Sequence, residues 1–446
     1  SVKSQEKYLV ADGTLSPDGD QDFNLDLRNL NLNELTSVAG INAELEGSIS
    51  GLLTYRKMDG SPYIFSDLSV DTLIFNRQIM GPTTLNAAWD DSQKNINMVL
   101  LSKLGELRTI EIDGDFTPEG RFLDFDIHLN EFELQILDPY AGSLVNELGG
   151  TGNVSLTLDG TLNKPELNGT IDFNRGSATI SYLNTRYQFD DPLRIYNNNF
   201  YLENFMASDK FGNTAEINGT ISNTYLRNFY TSIHIEANNL LCMNTTSLDN
   251  EVFYGSIFAT GDVGISGEPD AIRLTIDAVT ERNTAIHLPL YSAREVQQSD
   301  FISFIRQDDA VVEELPAVKK LSGLEMELDV EVTEDAVVQM IFDPKVGDII
   351  ETSGRGNLRM MMNPSQGFRM FGDVELLTGD YLFTLQNVIN KRFEIEPGGR
   401  ISFSGAPNNA SIDLAAIYST RAAPYKLYTG DPSDPDAEKL KKRIPV

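Results

Sequence analysis

The sequence predicts an all-β protein: an elongated, curled antiparallel β-sheet forming a hydrophobic groove, with one or two short helical insertions. Two observations predict it. From Leu324 the chain reads Leu-Glu-Met-Glu-Leu-Asp-Val-Glu-Val, and Leu123–Leu129 reads Leu-Asp-Phe-Asp-Ile-His-Leu. Successive side chains on a strand point to opposite faces, so this alternation gives one oily face and one charged face. Second, short apolar segments bounded by Gly, Asn, Asp and Pro run almost end to end, as in an all-β chain.

Taken in order, strands are expected at 154–158, 170–173, 178–182, 233–237, 272–278 and 401–403. Turns are expected at Asp18-Gly19, Asp59-Gly60, Asp113-Gly114, Asp159-Gly160 and Pro397-Gly398-Gly399. Two stretches break the pattern. Residues 138–148 open with Asp-Pro, a helix-start signal, and read as one or two helical turns. Residues 291–321 carry Ser299-Asp-Phe-Ile-Ser-Phe-Ile-Arg306 and read as a helix and loop. Gly-rich segments recur about every hundred residues, at Gly47–Gly51, Gly149–Gly152, Gly255–Gly261 and Gly354–Gly356. Such repetition suits units that bury their apolar face only by stacking. No linker separates them, so one continuous sheet of roughly 25–30 strands is expected at one strand and turn per ~14–16 residues. Its segments are 1–137, 138–290, the insertion 291–321, and 322–446.

Lys and Arg number 35 against 66 Asp and Glu, a formal charge of −31 over 446 residues. That excess argues against nucleic acid and anionic membrane surfaces as partners. The acids alternate with apolar residues, which is the arrangement of a solvated outer sheet face. The single cysteine, Cys242, excludes an internal disulfide framework and a four-thiolate zinc site. No apolar run approaches the length of a spanning helix, and no signal peptide is present. Both ends interrupt the strand pattern, as if cut.

No catalytic constellation emerges, and neither a metal nor a cofactor is expected. His128, His234 and His287 are far apart in sequence, and two of them sit at alternate strand positions. Carboxylates at i and i+2, such as Asp124/Asp126 and Glu325/Glu327/Asp329, are too frequent to mark one site. The Gly149 and Gly354 segments lead into strands, so no helix N-terminus receives a phosphate. Asp18-Gly-Asp20-Gln-Asp22 lacks the remaining ligands of a calcium loop. Asn-x-Ser/Thr occurs at Asn153, Asn168, Asn218, Asn244 and Asn409; Asn-Gly-Thr at 168 and 218 reads as turn or bulge chemistry.

The inward set comprises Leu123, Phe125, Ile127, Leu156, Leu158, Phe173, Ile180, Ile272, Leu274, Leu324, Met326, Leu328 and Val330. It is aliphatic with scattered Phe and Met. A lining of that kind selects for acyl chains and leaves a polar headgroup in water. The same set would serve equally if two walls met as dry core. A sugar-binding stalk would want exposed aromatic rows, and with one tryptophan, Trp89, none is evident.

Several motifs carry a family resemblance. Gly160-Thr-Leu-Asn-Lys-Pro-Glu-Leu-Asn-Gly169 is similar to the strand pairs of the TamB family, large periplasmic subunits of the translocation and assembly module. The resemblance is strongest further on. Asp329-Val-Glu-Val-Thr-Glu-Asp-Ala-Val-Val-Gln339, Phe342-Asp-Pro-Lys-Val-Gly-Asp348, Gly379-Asp-Tyr-Leu-Phe-Thr-Leu385 and Arg392–Pro407 follow the family's C-terminal domain in order and spacing. Residues 1–130 match only in style. The family's Gly-Asp-Pro here reads Gly405-Ala-Pro407, and the chain stops at Ile-Pro-Val, so no docking residues are carried over.

The resemblance implies a β-taco fold and a periplasmic protein of a diderm bacterium, anchored to the inner membrane by an N-terminal helix outside this chain. It implies phospholipids as cargo and an outer-membrane barrel partner resembling TamA or its BamA-like relatives, without enzymatic activity. The expected function is a bridge that shields phospholipid acyl chains between the membranes in support of outer-membrane biogenesis. The alternative is a scaffold for outer-membrane barrel assembly that works by strand addition and carries no lipid.

Overall fold

The computed structural model describes residues 8–15, 21–34, 44–58, 61–140, 145–250, 253–289, 323–343, 348–363, 367–385, 389–422 and 444–445. They form a large many-stranded sheet with two short 3-10 segments, so the all-β expectation holds. The chain divides into two compact units.

The first unit is Ser1–Glu236 with Gly264–Pro269. Its strands are β1 (Tyr8–Leu15), β2 (Gln21–Asn31), β3 (Leu45–Glu46), β4 (Ser48–Met58), β5 (Ser61–Phe75), β6 (Gln78–Asp90), β7 (Asn95–Leu104), β8 (Leu107–Thr117) and β9 (Phe122–Glu133). After a 3-10 segment, Leu134–Tyr140, follow β10 (Val145–Thr161), β11 (Lys164–Ile180), β12 (Thr185–Phe189), β13 (Leu193–Tyr196), β14 (Asn199–Ser208), β15 (Thr214–Thr224) and the start of β16 (Arg227–Thr245). From β4 to β11 each strand pairs antiparallel with the next.

The second unit is Ala237–Val263 with Asp270–Val446. Its strands are the rest of β16, β17 (Tyr254–Glu268) up to Val263, β18 (Ala271–Thr280), β19 (Ala285–Pro289), β20 (Leu324–Val332), β21 (Val337–Asp343), β22 (Asp348–Asn363), β23 (Gly367–Leu385), β24 (Ile389–Ile395) and β25 (Arg400–Gly405). The short β26 (Ser411–Asp413), β27 (Ala416–Ile417), β28 (Arg421–Ala422) and β29 (Ile444–Pro445) complete it.

Several strands are longer than the sequence suggested, because single strands read as two. The segments expected at 170–173 and 178–182 are both β11, interrupted between them by a register shift near Gly149/Thr151 of its partner. One long strand is then paired by two consecutive short ones: β11 by β13 and β12, β22 by β20 and β21, β23 by β25 and β24. Bulges bend a strand and tighten its twist, so each long strand becomes two arms. The bulged residue leaves an N–H out of the ladder, and a side chain on the next strand accepts it. Asn29 donates to Ser50 Oγ (2.9 Å), Glu131 to Asn153 Oδ1 (2.9 Å), Asn204 to Asn218 Oδ1 (2.7 Å) and Asn239 to Thr260 Oγ1 (2.9 Å). Two of the sequon asparagines are therefore bulge acceptors.

Glycine flanks these acceptors, as in Ser50-Gly51, Asn218-Gly219 and Thr260-Gly261. Gly51 and Gly219 thus lie beside the bulges of the strands they pair with. Asp113-Gly114 is not the expected turn: it lies inside β8 in unbroken register with β9, with Gly114 at φ 154° and a Cβ there only 2.1 Å from Asp124 O. Asp159-Gly160 likewise closes β10, and the turn falls two residues later. Asn218→Ala should cost about 1 kcal/mol by stranding the Asn204 N–H; faster hydrogen exchange confined to residues near 204 would show it, and Asn218→Asp should restore protection.

The ladder is not wholly antiparallel. β18 runs parallel to β20 and β19 parallel to β21. Parallel neighbours need a crossover of a dozen or more residues, and residues 290–322 supply that length. The helix expected at 291–321 lies outside the described residues. The one expected at 138–148 is displaced: the 3-10 segment occupies Leu134–Tyr140, and β10 begins at Val145. Its Leu134 and Ile136 are 2% and 3% exposed and plug a cluster with Leu73, Met80, Ile110, Phe132 and Val154. The second unit has its own cluster, Leu288, Met340, Ile350, Met370, Leu376, Ile395, Ile401 and Phe403. It draws on both arms of the bent strands, Ile350 from one and Met370 from the other.

Candidate functional site

The inward residues fall into two patches, one in each unit. In the first, Leu123, Phe125 and Ile127 on β9 lie beside Leu158 and Leu156 on β10, paired Phe125 to Leu158 and Ile127 to Leu156. In the second, Ile272 pairs with Leu324 and Leu274 with Met326 across the parallel ladder, and Val330 lies opposite Ala278. Leu328 is flanked by Ile276 and by Met360 of β22, and Met326 by Met362. Ile276, Leu358, Met360 and Met362 were missed from sequence: Ile276 continues the Ile272/Leu274 alternation and was legible, whereas Leu358, Met360 and Met362 join this face only through the antiparallel pairing of β22 with β20. Phe173 and Ile180 lie away from these rows. Phe173 packs edge-on to Phe189 at 5.0 Å, against the plugged cluster, and Ile180 sits at the far end of β11 opposite Val145.

Burial separates these faces from ordinary core. All thirteen residues are half-buried: none belongs to the closed core and none to the exposed large hydrophobics. Alternate positions on the same strands, such as Asp124, Glu325 and Glu327, are exposed. Closed core forms around Leu376 and around Ile136, and Leu156 and Phe173 of the thirteen pack against the latter cluster.

Cross-strand glycines seat several of these side chains. Gly114 lies opposite Phe125, Gly169 opposite Leu156, and Gly152 opposite Phe173. A large side chain covering a cross-strand glycine keeps a bent sheet from opening a void.

The outer face is held by cross-strand ion pairs. Arg359 reaches Glu327 (2.9 Å) and Asp329 (3.1 Å), and Arg273 reaches Glu325 (3.0 Å). Arg392 forks onto Asp380 at 2.8 and 2.5 Å, and its hydrogen bonds hold the Asp380 carboxyl below the usual range. Its stabilisation is present above the ordinary carboxylate pKa and fades as pH falls through the depressed one. On the inward face, burial first and Asp348 second push the Tyr381 phenol up to about 12. That contribution is complete below pH ~10 and fades between ~10 and 12. Alkaline absorbance titration of Tyr381→Phe should lose the last-ionising phenol; an unchanged upper limb would contradict this placement.

His128 faces Ser155 Oγ at 3.3 Å, His234 is exposed 3.6 Å from Glu236, and His287 stacks on Tyr254 at 4.8 Å. Asp22, from the calcium-like segment, pairs with Arg56 at 3.2 Å. A cavity of about 480 Å³ in the first unit has a mixed lining, with Ser48, Ser69 and Lys103 beside Val70, Pro82 and Leu101. Aromatic exposure departs from expectation: Tyr196 is 63%, Phe122 54%, Tyr230 46% and Tyr225 42% exposed.

Comparison with known families decides the assignment. The TamB C-terminal domain family matches residues 203–446. The chain belongs to the TamB family. No curated protein and no solved structure matches it. TamB membership carries a role in the translocation and assembly module and outer-membrane biogenesis, in the periplasm of diderm bacteria, alongside an outer-membrane partner. The family is a non-enzymatic assembly and transport component. Among the described residues no helix is long and apolar enough to cross a membrane.

Proposed function

We propose that this TamB chain shields phospholipid acyl chains along its half-buried aliphatic faces, bridging inner and outer membranes in support of outer-membrane biogenesis. The carrying observation is the burial of the inward residues: apolar, in one patch per unit with Phe173 and Ile180 apart from the rows, and neither fully buried nor fully exposed. An apolar face in that state loses free energy when an alkyl chain replaces its water, by about 0.8 kcal/mol per CH₂. The outward acids keep the opposite face in water. No cofactor takes part. An N-terminal helix would anchor the full protein to the inner membrane, and a barrel resembling TamA or its BamA-like relatives would receive the other end.

The test is native mass spectrometry with lipid extraction on protein purified gently from a diderm host. Phospholipid should copurify, and Leu328→Glu should reduce it several-fold while β22 and β23 keep their exchange protection. A lipid-free folded protein would end this reading.

One observation favours the alternative, a lipid-free scaffold for barrel assembly. Strand β1 pairs only with β2 among the described residues, and Leu9, Val10 and Leu15 on it are 54%, 52% and 70% exposed. An open apolar edge is a template for strand addition. Proline at Leu9 or Val10, whichever N–H points away from β2, would then abolish barrel assembly where Leu328→Glu does not.

A further inference from the structure

The second unit's patch is set apart by sulfur. Six of the chain's eleven methionines fall between Met326 and Met370, and three of them face inward together. The register pairs Met326 of β20 with Met362 of β22, and Leu328 with Met360. Cross-strand neighbours stand about 5 Å apart at Cβ, and Met360 and Met362 are roughly 7 Å apart along one face. The three thioethers therefore line one stretch of the half-buried face. Leu274 and Ile276 continue it on one side, Phe368 and Met370 on the other.

Exposure sorts the methionines. Met340 and Met370 are 1% and 3% exposed and belong to the sealed cluster. Met361 lies on the outer face opposite Glu327 and is 42% exposed. Met326, Met360 and Met362 fall between: a small solute can reach them, yet they sit on the face proposed to meet an acyl chain. Met98, half-buried in the first unit, has Ala87 and Gly114 opposite it, so its register brings no second thioether beside it. Leucine would fill much the same volume as methionine, so burial alone does not call for three thioethers here. What a thioether adds is chemistry: a mild oxidant turns this apolar group into a polar one.

We propose that Met326, Met360 and Met362 form a methionine oxidation site at which a hydroperoxide switches lipid carriage off. This rests on the proposed acyl-chain function and adds its regulation. Hydrogen peroxide is small and uncharged, so the chain's charge of −31 does not exclude it. The thioether lone pair attacks one peroxide oxygen, and the S–O bond forms as the O–O bond breaks. Sulfur gives up two electrons, and the proton on the transferred oxygen passes to the departing hydroxide, which leaves as water. Each sulfoxide sets a strong acceptor among Leu274, Ile276, Leu328 and Phe368, whose side chains have no donor for it. Water satisfies that oxygen while the face is open; an alkyl chain laid over it cannot, so the penalty falls on the lipid complex. The coupling is reciprocal: a bound acyl chain covers the sulfurs and protects them. Thiol-dependent reductases return methionine sulfoxide to the thioether, so the switch is reversible.

The test treats the protein with hydrogen peroxide before or after incubation with vesicles of phosphatidylethanolamine and phosphatidylglycerol. Peptide mass spectrometry maps the sulfoxides, and extraction quantifies the lipid retained. Without lipid, oxygen should be gained at Met326, Met360 and Met362; lipid loading should slow that gain several-fold while Met361 reacts alike in both. Protein oxidised first should then retain several-fold less lipid than untreated protein. The variant Met326→Leu, Met360→Leu, Met362→Leu should retain the same lipid with and without peroxide. Met98 is present in both proteins, so their difference reads the three. Exchange protection in β20 and β22 that survives peroxide verifies the fold; protection lost together with lipid would make the effect unfolding and overturn the proposal. Sulfoxides at all three positions with lipid unchanged would overturn it too, as would oxidation of sealed Met340 before these three, or equal lipid loss in the leucine variant. In each of those cases untreated protein still carries lipid, so the acyl-chain reading stands. If untreated protein retains no lipid, both fall together.

Discussion

Leu376→Ala should loosen the second unit more than any other single truncation of an aliphatic side chain there. Leu376 is fully buried, and its cluster joins both arms of the bent strands. Its N–H donates to Gly399 O (2.7 Å), and its carbonyl accepts from Gly398 N–H (2.9 Å), so the backbone is pinned and cannot follow a shrinking side chain. A site that cannot collapse keeps its cavity, which places the loss toward the upper part of the ~2–5 kcal/mol range for Leu→Ala. A two-unit chain has no single unfolding free energy, so the readout should be local. Native-state hydrogen exchange over β23 and β25 should accelerate by at least about 30-fold, at tenfold per 1.4 kcal/mol. Acceleration below threefold would mean that the arms are held apart from this cluster. Fluorescence is the wrong probe, because the lone Trp89 lies in the first unit.

What could be read from sequence follows from how far each interaction reaches along the chain. Period-two alternation is local, so the faces of Leu324–Val332 and Leu123–Leu129 were legible, as was the turn at Pro397–Gly399. Bulges were not. A strand that bends around Gly176 and Ser177 looks like two strands with a turn between them, and Asp113-Gly114 has the composition of a hairpin tip while sitting inside β8. The pairing of Ile272 with Leu324 was out of reach because the partner lies 52 residues further along the chain, with β19 between them. The exposed aromatics were half legible. Tyr196 alternates with buried Ile195, and Tyr230 shares its side with His234, so each outward direction could be read. Counting tryptophans was a poor proxy for these exposed rings.

Gly169→Ala should damage the fold and the aliphatic face together. Gly169 has φ 136°, a conformation that L-residues rarely adopt, and a Cβ there would lie 2.1 Å from Ser155 O and 2.8 Å from Leu156 Cα. Both atoms belong to the backbone of β10, so no rotamer change relieves the contact and the ladder itself must part. Backbone strain of that kind costs ~1–3 kcal/mol, and separating paired strands at Leu156 and at Ile195 on the other side adds to it. The expected total is about 3 kcal/mol or more, against about 1 kcal/mol for Asn218→Ala. The consequence for function comes through Leu156. Its side chain occupies the space that the glycine leaves, with Cδ2 3.0 Å from where the Cβ would stand. Expelled from that seat, Leu156 would project into the open part of the inward face, beside Ile127. Copurified lipid should therefore fall in Gly169→Ala even at a temperature where far-ultraviolet circular dichroism still reports a folded sheet. Gly105→Ala serves as the control, because a Cβ there meets nothing within 4 Å and its φ of 63° is one that Asn and Asp adopt in turns. If Gly169→Ala keeps parental lipid and stability, the cross-strand glycines do not shape the aliphatic face, and the recurrence of these glycines along the chain would need another cause.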